Sequence, residues 1–378
     1  MEDKKNIRYI DSLKGWAILA VIMIHSGAAL IPGIVGEIGA LGSRGVQLFF
    51  LISAFLAWKS LNKQIEKKQD NSLKCRFAWF GARLLRLTPL YYVFLAIYIF
   101  LIFKANYPAL GGIESITASN VVSHVLFLHA FNPYHVNSII GVAWYIGDLV
   151  IMYAITIFLH KFIKGLEDAL AWFCGSVIVG YFLCSVLNVA YLIDDVSVWS
   201  SYIWTFSIFV EFPCYLLGIV VYYIIQSETI EHMRGNKKLS RVILIGSLYV
   251  LFCLVTGYRD IGSRYNAGLS SIWIFSIVYA FIIIALEIRD NKIINNCICA
   301  ALGRRSYAIY FVHYILICAI QKNIPNIVQP PLANWFIKFV IVVVTSYVIA
   351  IILDLLIEKP FNKLWKKLFA RRSATERG

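Results

Sequence analysis

Two ionisable side chains lie in the first apolar stretch of the chain, LKGWAILAVIMIH, in which Lys14 and His25 are eleven residues apart. Eleven residues make about three turns of an α-helix, so the two side chains share nearly one face, roughly 16 Å apart along the axis. Ionisable groups within a membrane cost free energy and mark functional sites. Because imidazole titrates near neutral pH, His25 is a candidate general base. The alternative is a histidine that only hydrogen-bonds between packed helices.

A second group of charged side chains is a run of eight basic residues from Lys59 to Arg86. Arg83 and Arg86 are three residues apart and therefore share one helical face. Clustered cations at a membrane surface suit a ligand with several phosphates, whereas Lys63, Lys67 and Lys68 are expected to contact lipid phosphates. Arg44 begins another apolar stretch, and it either reaches lipid headgroups or points into the helix bundle.

A later helix presents polar groups on one face, because Ser306, Tyr310 and His313 have the spacing i, i+4 and i+7. These side chains suit acceptor binding or the lining of a transfer tunnel. Glu211 is a carboxylate within an apolar stretch, for which we expect a cationic partner.

Three histidines lie in the longest predicted loop, between residues 105 and 137. Their spacing matches no common metal site, and we expect them to be solvated: His124, His129 and His135. The loop also holds the apolar piece VVSHVLFLHAF, which is too short to span a membrane and is predicted to be re-entrant or to lie on the surface.

The elements that position these residues follow from composition. The chain has 378 residues, of which 60% are hydrophobic and 15% charged, which excludes an ordinary soluble domain. Long apolar stretches without two-residue alternation predict helices rather than a β-barrel. We therefore predict an all-α, polytopic integral membrane bundle of about ten helices, with spans at 12–31, 41–59, 88–104, 138–160, 170–191, 201–225, 241–257, 269–287, 305–321 and 334–357.

The distribution of basic residues orients these spans. With ten spans and a cytoplasmic N-terminus, 29 of the 35 lysines and arginines fall on the inner side. Both termini are then predicted to be cytoplasmic, and topology explains the net charge of +14 without a nucleic-acid partner. No linker or internal repeat is visible, so we expect one transmembrane domain over residues 1–378, with no appended extracytoplasmic esterase-like domain.

Five stretches of the chain, taken in order, resemble the signature elements of the acyltransferase-3 family of membrane acyltransferases. In the first element, RYIDSLKGWAILAVIMIH, the family's places are filled by Asp11, Leu13, Lys14, Gly15 and His25. The family commonly has arginine at this position. Lys14 keeps the positive charge but lacks the planar, two-pronged guanidinium group of arginine. The other elements are RGVQLFFLISAFL, RLLRLTPLYY, RRSYAIYFVH and EKPF.

Two departures from the family pattern accompany the resemblance. Ala54 replaces the usual glycine of the second element. Many members have Trp-x-x-x-x-Glu in the fourth helix, whereas this chain has Trp144 followed by Asp148, so no catalytic carboxylate is carried over to this position.

The resemblance implies a membrane O-acyltransferase that moves an acyl group, expected to be acetyl, from cytoplasmic acyl-CoA to a hydroxyl of a cell-surface or lipid-linked glycan such as lipopolysaccharide or exopolysaccharide. Together with the residue chemistry it implies that His25 and Lys14 are catalytic and that Arg83, Arg86 and Arg44 bind the donor. The acceptor or tunnel residues are then Ser306, Tyr310, His313, Trp144 and Glu358.

The implied partners are acyl-CoA, the glycan acceptor and the lipid bilayer, and the implied location is the bacterial inner membrane. Acetyl-CoA is a donor substrate, and no tightly bound cofactor or metal is expected. The sequence leaves open the glycan, the acyl group, the oligomeric state, and the choice between a covalent acyl-histidine and direct general-base transfer. A transporter with an intramembrane lysine, histidine and glutamate relay is the alternative, but it predicts repeated halves.

Overall fold

The computed structural model of the chain describes residues 8–105, 112–190, 192–256, 268–324 and 326–363. Every regular element within these ranges is helical, which confirms the all-α prediction. The predicted cytoplasmic termini lie outside the described residues, and so do Arg259 and Arg264, two of the six basic residues that the prediction does not place on the inner side. The α-helices are α1 (Arg8–His25), α2 (Ile34–Ala40), α3 (Gly45–Lys68), α4 (Leu73–Ala105), α5 (Ala118–Val125), α6 (Trp144–Phe162), α7 (Leu166–Ala190), α8 (Val196–Thr205), α9 (Ile208–Ile225), α10 (Glu228–Met233), α11 (Lys237–Thr256), α12 (Gly268–Ile288), α13 (Cys297–Arg304), α14 (Ser306–Asn323) and α15 (Pro331–Leu353).

Long apolar helical segments make this a multi-pass membrane protein. Among the described residues, seven segments are long and apolar enough to cross a membrane: Ile34–Lys68, Leu73–Lys104, Trp144–Phe162, Leu166–Ala190, Val196–Ile225, Lys237–Thr256 and Pro331–Lys363. The other three predicted spans also contain helices, namely α1, α12 and α14. Each of the ten predicted spans therefore contains helical structure, and the polytopic fold class is confirmed.

Several spans differ from the prediction in their limits; the span predicted at 138–160, for example, is an α-helix only from Trp144 onward. Helix α4 begins at Leu73 and continues through Pro89, whereas the predicted span begins at residue 88. The ring leaves the carbonyl of Leu85 without its usual amide partner, and the Thr88 hydroxyl donates to that carbonyl at 3.5 Å. The predicted span 201–225 is divided into α8 and α9, because the backbone at Ser207 is extended.

Close contact between α1 and α13 brings the first signature element next to the start of the element RRSYAIYFVH, which begins at Arg304. A Cβ added to Gly15 would overlap the backbone carbonyl of Cys299, and one added to Gly303 would overlap the carbonyl of Asp11. Glycine at both positions lets the two backbones approach more closely than side chains would allow. The charged first half of α1 therefore lies against the Arg304–Arg305 pair.

The loop histidines are largely buried, so the prediction that they are solvated was wrong. His124 and His129 have no exposed surface, and their rings stack with centroids 4.2 Å apart. Residues Ala118–Val125 form α5 and Leu128–Phe131 form a 3-10 turn, so the apolar piece folds against the bundle. Tyr91 on α4 shares a hydrogen bond of 3.1 Å with His124. His135 remains partly exposed.

Candidate active site

A cavity lined by cations lies where α1, α3, α4, α6, α13 and α14 meet the short π-helical segment Asp354–Glu358 that follows α15. Its cationic lining consists of Lys14, Arg83, Arg86, Arg304 and Arg305, and its lining carboxylate is Glu358. Ser306 and Tyr310 also line this cavity, which has a volume of about 190 Å³. We call it the cationic cavity. Five cations around one carboxylate make it suited to an anionic ligand.

Lys14 is oriented by a neighbour on its own helix. Its Nζ lies 3.1 Å from Oδ1 of Asp11, three residues earlier, and both side chains are partly buried. This ion pair gives a structural reason for the Asp-x-Leu-Lys spacing of the first signature element. Lys14 thus faces the cationic cavity with one donor engaged, and an ammonium group has further donors for a ligand.

Arg83 and Arg86 are both in the cationic cavity, but they are held differently. Arg83 donates through Nη2 to the Leu56 carbonyl at 2.9 Å and to Oγ of Ser60 at 2.5 Å. It also lies over the rings of Trp79 and Tyr153. Arg86 is exposed, and its charge acts on Glu358 and Lys14. Arg83 is therefore tied into the packing of α3 against α4, whereas Arg86 presents its charge to the cavity.

His25 forms a pair with His313 across the interface between α1 and α14. Nδ1 of His25 lies 2.9 Å from Nε2 of His313, and the rings stack with centroids 5.2 Å apart. Nδ1 of His313 lies 3.1 Å from the Ile309 carbonyl, which can only accept, so this nitrogen carries the proton. In neutral rings, Nε2 of His313 then accepts from Nδ1 of His25. His25 is left with an unprotonated Nε2, the nitrogen able to accept a proton.

His25 lines a second cavity. It has a volume of about 420 Å³ and is lined by His25, Arg44, Gln47, Trp144 and Glu211. Its remaining lining includes Trp204, Phe206 and Tyr310, and we call it the aromatic cavity. Arg44 therefore lies beside His25, where the prediction that it reaches into the bundle near the acyl group would place it, and apart from Arg83 and Arg86 in the cationic cavity.

Tyr310 lines both cavities. Its hydroxyl donates to the Val142 carbonyl at 2.8 Å, and its ring lies 5.7 Å from that of His313. The predicted polar face of α14 therefore runs from Ser306 in the cationic cavity, through Tyr310, to His313 beside His25. One helix face connects the two cavities.

A family model described as an acyltransferase domain matches residues 7–355, nearly the whole chain. The chain belongs to the acyltransferase-3 family. Comparisons with curated proteins and with solved structures found no match. Family membership makes the protein a membrane acyltransferase, with an acyl donor and an acceptor as its substrates, and it favours this function over the transporter alternative.

Sequence reasoning did not identify three residues of this acyltransferase that line the two cavities. Arg304 and Arg305 line the cationic cavity, and their signal was the pair of arginines directly before Ser306. Arg305 donates to the hydroxyl of Tyr347 at 3.4 Å, and its Nε is buried without a hydrogen-bond partner among the described residues. Gln47 was missed as well, because a single glutamine in an apolar helix has no distinguishing spacing.

Glu211 has a partner that the sequence did not name. Nε2 of Gln47 donates to Oε1 of Glu211 at 2.7 Å, and the charge of Arg44 acts on the same carboxylate. The acyltransferase thus holds its buried glutamate with a neutral amide and a nearby cation, as buried charges require.

Proposed function

We propose that the protein transfers an acyl group, expected to be acetyl, from acyl-CoA to a hydroxyl of a cell-surface or lipid-linked glycan at the bacterial inner membrane. The observation that carries this proposal is that His25, paired with His313, lines the aromatic cavity, and that this cavity shares Tyr310 with the cationic cavity. A phosphate-rich donor and a polyhydroxyl acceptor need these two different linings.

The donor is assigned to the cationic cavity. Acyl-CoA carries several phosphates, which need clustered cations and cannot enter hydrocarbon. The cavity lies at the N-terminal half of α1, which the excess of basic residues assigns to the cytoplasmic side. Lys14 is roughly 16 Å from His25 along the helix axis, and the extended arm of acyl-CoA bridges a separation of this kind. The termini are then cytoplasmic.

His25 is proposed to act as the general base, held by His313. The acceptor hydroxyl loses its proton to Nε2 of His25 while its oxygen bonds to the acyl carbon. The carbon–sulfur bond of the thioester breaks, and the departing CoA thiolate takes up the proton that His25 releases. His313 orients the ring and fixes the tautomer, which makes it a positioning residue. Transfer through an acyl group on His25 is the second route consistent with this geometry.

The test has two parts. Mass spectrometry of surface glycans from cells with and without the gene should show an acyl group only when the gene is present. Purified His25→Gln protein should lose about 100- to 10,000-fold in acyl transfer, because glutamine keeps the volume but cannot accept the proton.

His160→Gln is the matched control, since His160 is also buried and bonds Asn62 at 3.0 Å away from both cavities. It should keep acyl transfer. Transfer retained in His25→Gln, or identical glycans from the two strains, would contradict the proposal. An acyl adduct recovered on His25 in the absence of acceptor would select the covalent route.

A further inference from the structure

The aromatic cavity contains a buried polar pair that is incompletely satisfied. Gln47 is 3% exposed and Glu211 is 0% exposed, and they share one hydrogen bond. The other oxygens, Oε1 of Gln47 and Oε2 of Glu211, are buried with no hydrogen-bond partner in the described part of the chain. Unpaired buried acceptors are costly, and each calls for an explanation such as a bound water, ion or ligand.

Oε1 of Gln47 can only accept, and Oε2 of Glu211 accepts when the carboxylate is ionised, so a ligand that donates hydrogen bonds satisfies both atoms. Two acceptors on adjoining side chains match two neighbouring hydroxyl groups. A thioester, a lipid tail or a phosphate offers no such pair of donors. The polar half of the lining therefore points to a ligand with a diol.

Aromatic rings supply the rest of the lining. Trp144, Trp204 and Phe206 all line the cavity and are partly exposed. The rings of Trp144 and Phe206 lie edge to face, with centroids 5.5 Å apart. Flat rings beside hydrogen-bonding groups suit a ligand with apolar C–H faces and a polar edge. A pyranose ring has this combination.

The charged side chains in the lining restrict which class of sugar fits. The Glu211 carboxylate lies in the cavity lining, and the Arg44 charge acts on that carboxylate. When Glu211 is ionised, it repels a second carboxylate placed against its Oε2 in this buried setting. The pair therefore disfavours a uronic acid and favours an uncharged sugar.

We propose that the aromatic cavity binds one uncharged pyranose unit of the acceptor, with two neighbouring hydroxyls donating to Glu211 and Gln47. The inference rests on the proposed acyl transfer and names the sugar class that it serves. His25 lines the same cavity, so the hydroxyl that is acylated faces Nε2 of His25 while its neighbours are held by the pair. Glu211 and Gln47 then determine which hydroxyl is acylated.

The experiment measures acyl transfer by purified full-length protein to polysaccharide isolated from cells that lack the gene, with KM determined separately for polysaccharide and for acetyl-CoA. Glu211→Gln exchanges one of the accepting oxygens for a donor, so KM for the polysaccharide should rise roughly 10- to 150-fold, the range for a lost hydrogen bond to a charged group. Trp204→Ala should raise the KM for the polysaccharide as well. The KM for acetyl-CoA should move far less in both variants.

Trp172→Ala is the control, because Trp172 is a partly exposed tryptophan on α7 that lines neither the cationic nor the aromatic cavity; both KM values should match wild type. Methyl glucoside and methyl glucuronide are then compared as competitors of the polysaccharide, and the neutral sugar should compete better.

An unchanged polysaccharide KM in Glu211→Gln and Trp204→Ala would overturn the proposal. Equal rises in both KM values, or stronger competition by the glucuronide, would overturn it too. Failure of the proposed function gives a different result, since wild-type protein would then transfer no acyl group to the polysaccharide at all.

Discussion

Removal of the Arg86 guanidinium tests the donor site most directly. Arg86 lines the cationic cavity and is exposed. A hydrogen bond from a charged group contributes about 1.5–3 kcal/mol, so Arg86→Ala should raise the dissociation constant of CoA roughly 10- to 150-fold. The effect should shrink as salt is added, because the contact is ionic and partly exposed to solvent.

Arg83→Ala provides an informative comparison. It should weaken CoA binding too, but it also removes the hydrogen bonds from Arg83 to α3. Each such bond contributes about 1 kcal/mol to stability, so the melting temperature of Arg83→Ala should fall below that of Arg86→Ala.

Lys67→Ala is the charge-matched control, because Lys67 is exposed in the last turn of α3 and is not part of the cavity lining. The assay is calorimetric titration of the purified protein with CoA at low and at high salt, together with a thermal melt. The reasoning is refuted if Arg86→Ala binds CoA as wild type does at low salt, or if Lys67→Ala loses as much affinity as Arg86→Ala.

Three further predictions concern stability and topology. Burial lowers the pKa of His129 to about 4 from about 6.5 in an unfolded chain. Between these pH values the unfolded state binds more protons than the folded state, so the free energy of unfolding should fall as the pH drops below about 6.5. The loss at pH 5 should be about 2 kcal/mol. Melts from pH 7 to pH 5 measure this, and His129→Asn should flatten the dependence, whereas an unchanged slope would contradict it. Gly15→Ala should destabilise the folded protein by about 1–3 kcal/mol or more, because the added methyl overlaps the Cys299 carbonyl. Gly246→Ala is the control and should not destabilise the protein, because Gly246 has open space around it. Equal melting temperatures of the two variants would refute the packing argument. A reporter fused after Gly378 should be active only in the cytoplasm, and activity on the outer side would reverse the assigned orientation.

The burial of His124 and His129 shows where sequence reasoning failed. A histidine in a loop is expected to be solvated, and the spacing of these histidines along the chain gave no indication that they are buried. In the structure, Nε2 of His129 donates to the Ala143 carbonyl at 3.1 Å, and Nδ1 is buried without a partner among the described residues. That environment is built by the fold of the loop against α4 and α6, which no local pattern reveals.

Local relationships were predictable from the chain. The positions of helices follow from apolar length, since a backbone within a bilayer must satisfy its own hydrogen bonds. The three-residue separation of Arg83 and Arg86 places them on one face of any helix, and so does the i, i+4, i+7 spacing of Ser306, Tyr310 and His313. These inferences need only helix geometry.

The sequence by itself determined that this protein is a helical membrane protein and which residues of each helix carry polar chemistry, because hydropathy and helical period act within one segment. Only the tertiary structure decided which faces meet: His25 with His313, 288 residues away, Gln47 with Glu211, 164 residues away, and Arg44 beside His25 rather than beside Arg83. Helix pairing in lipid depends on close packing of small residues and on a few interhelical hydrogen bonds. These act between distant segments, so no single stretch of sequence specifies them.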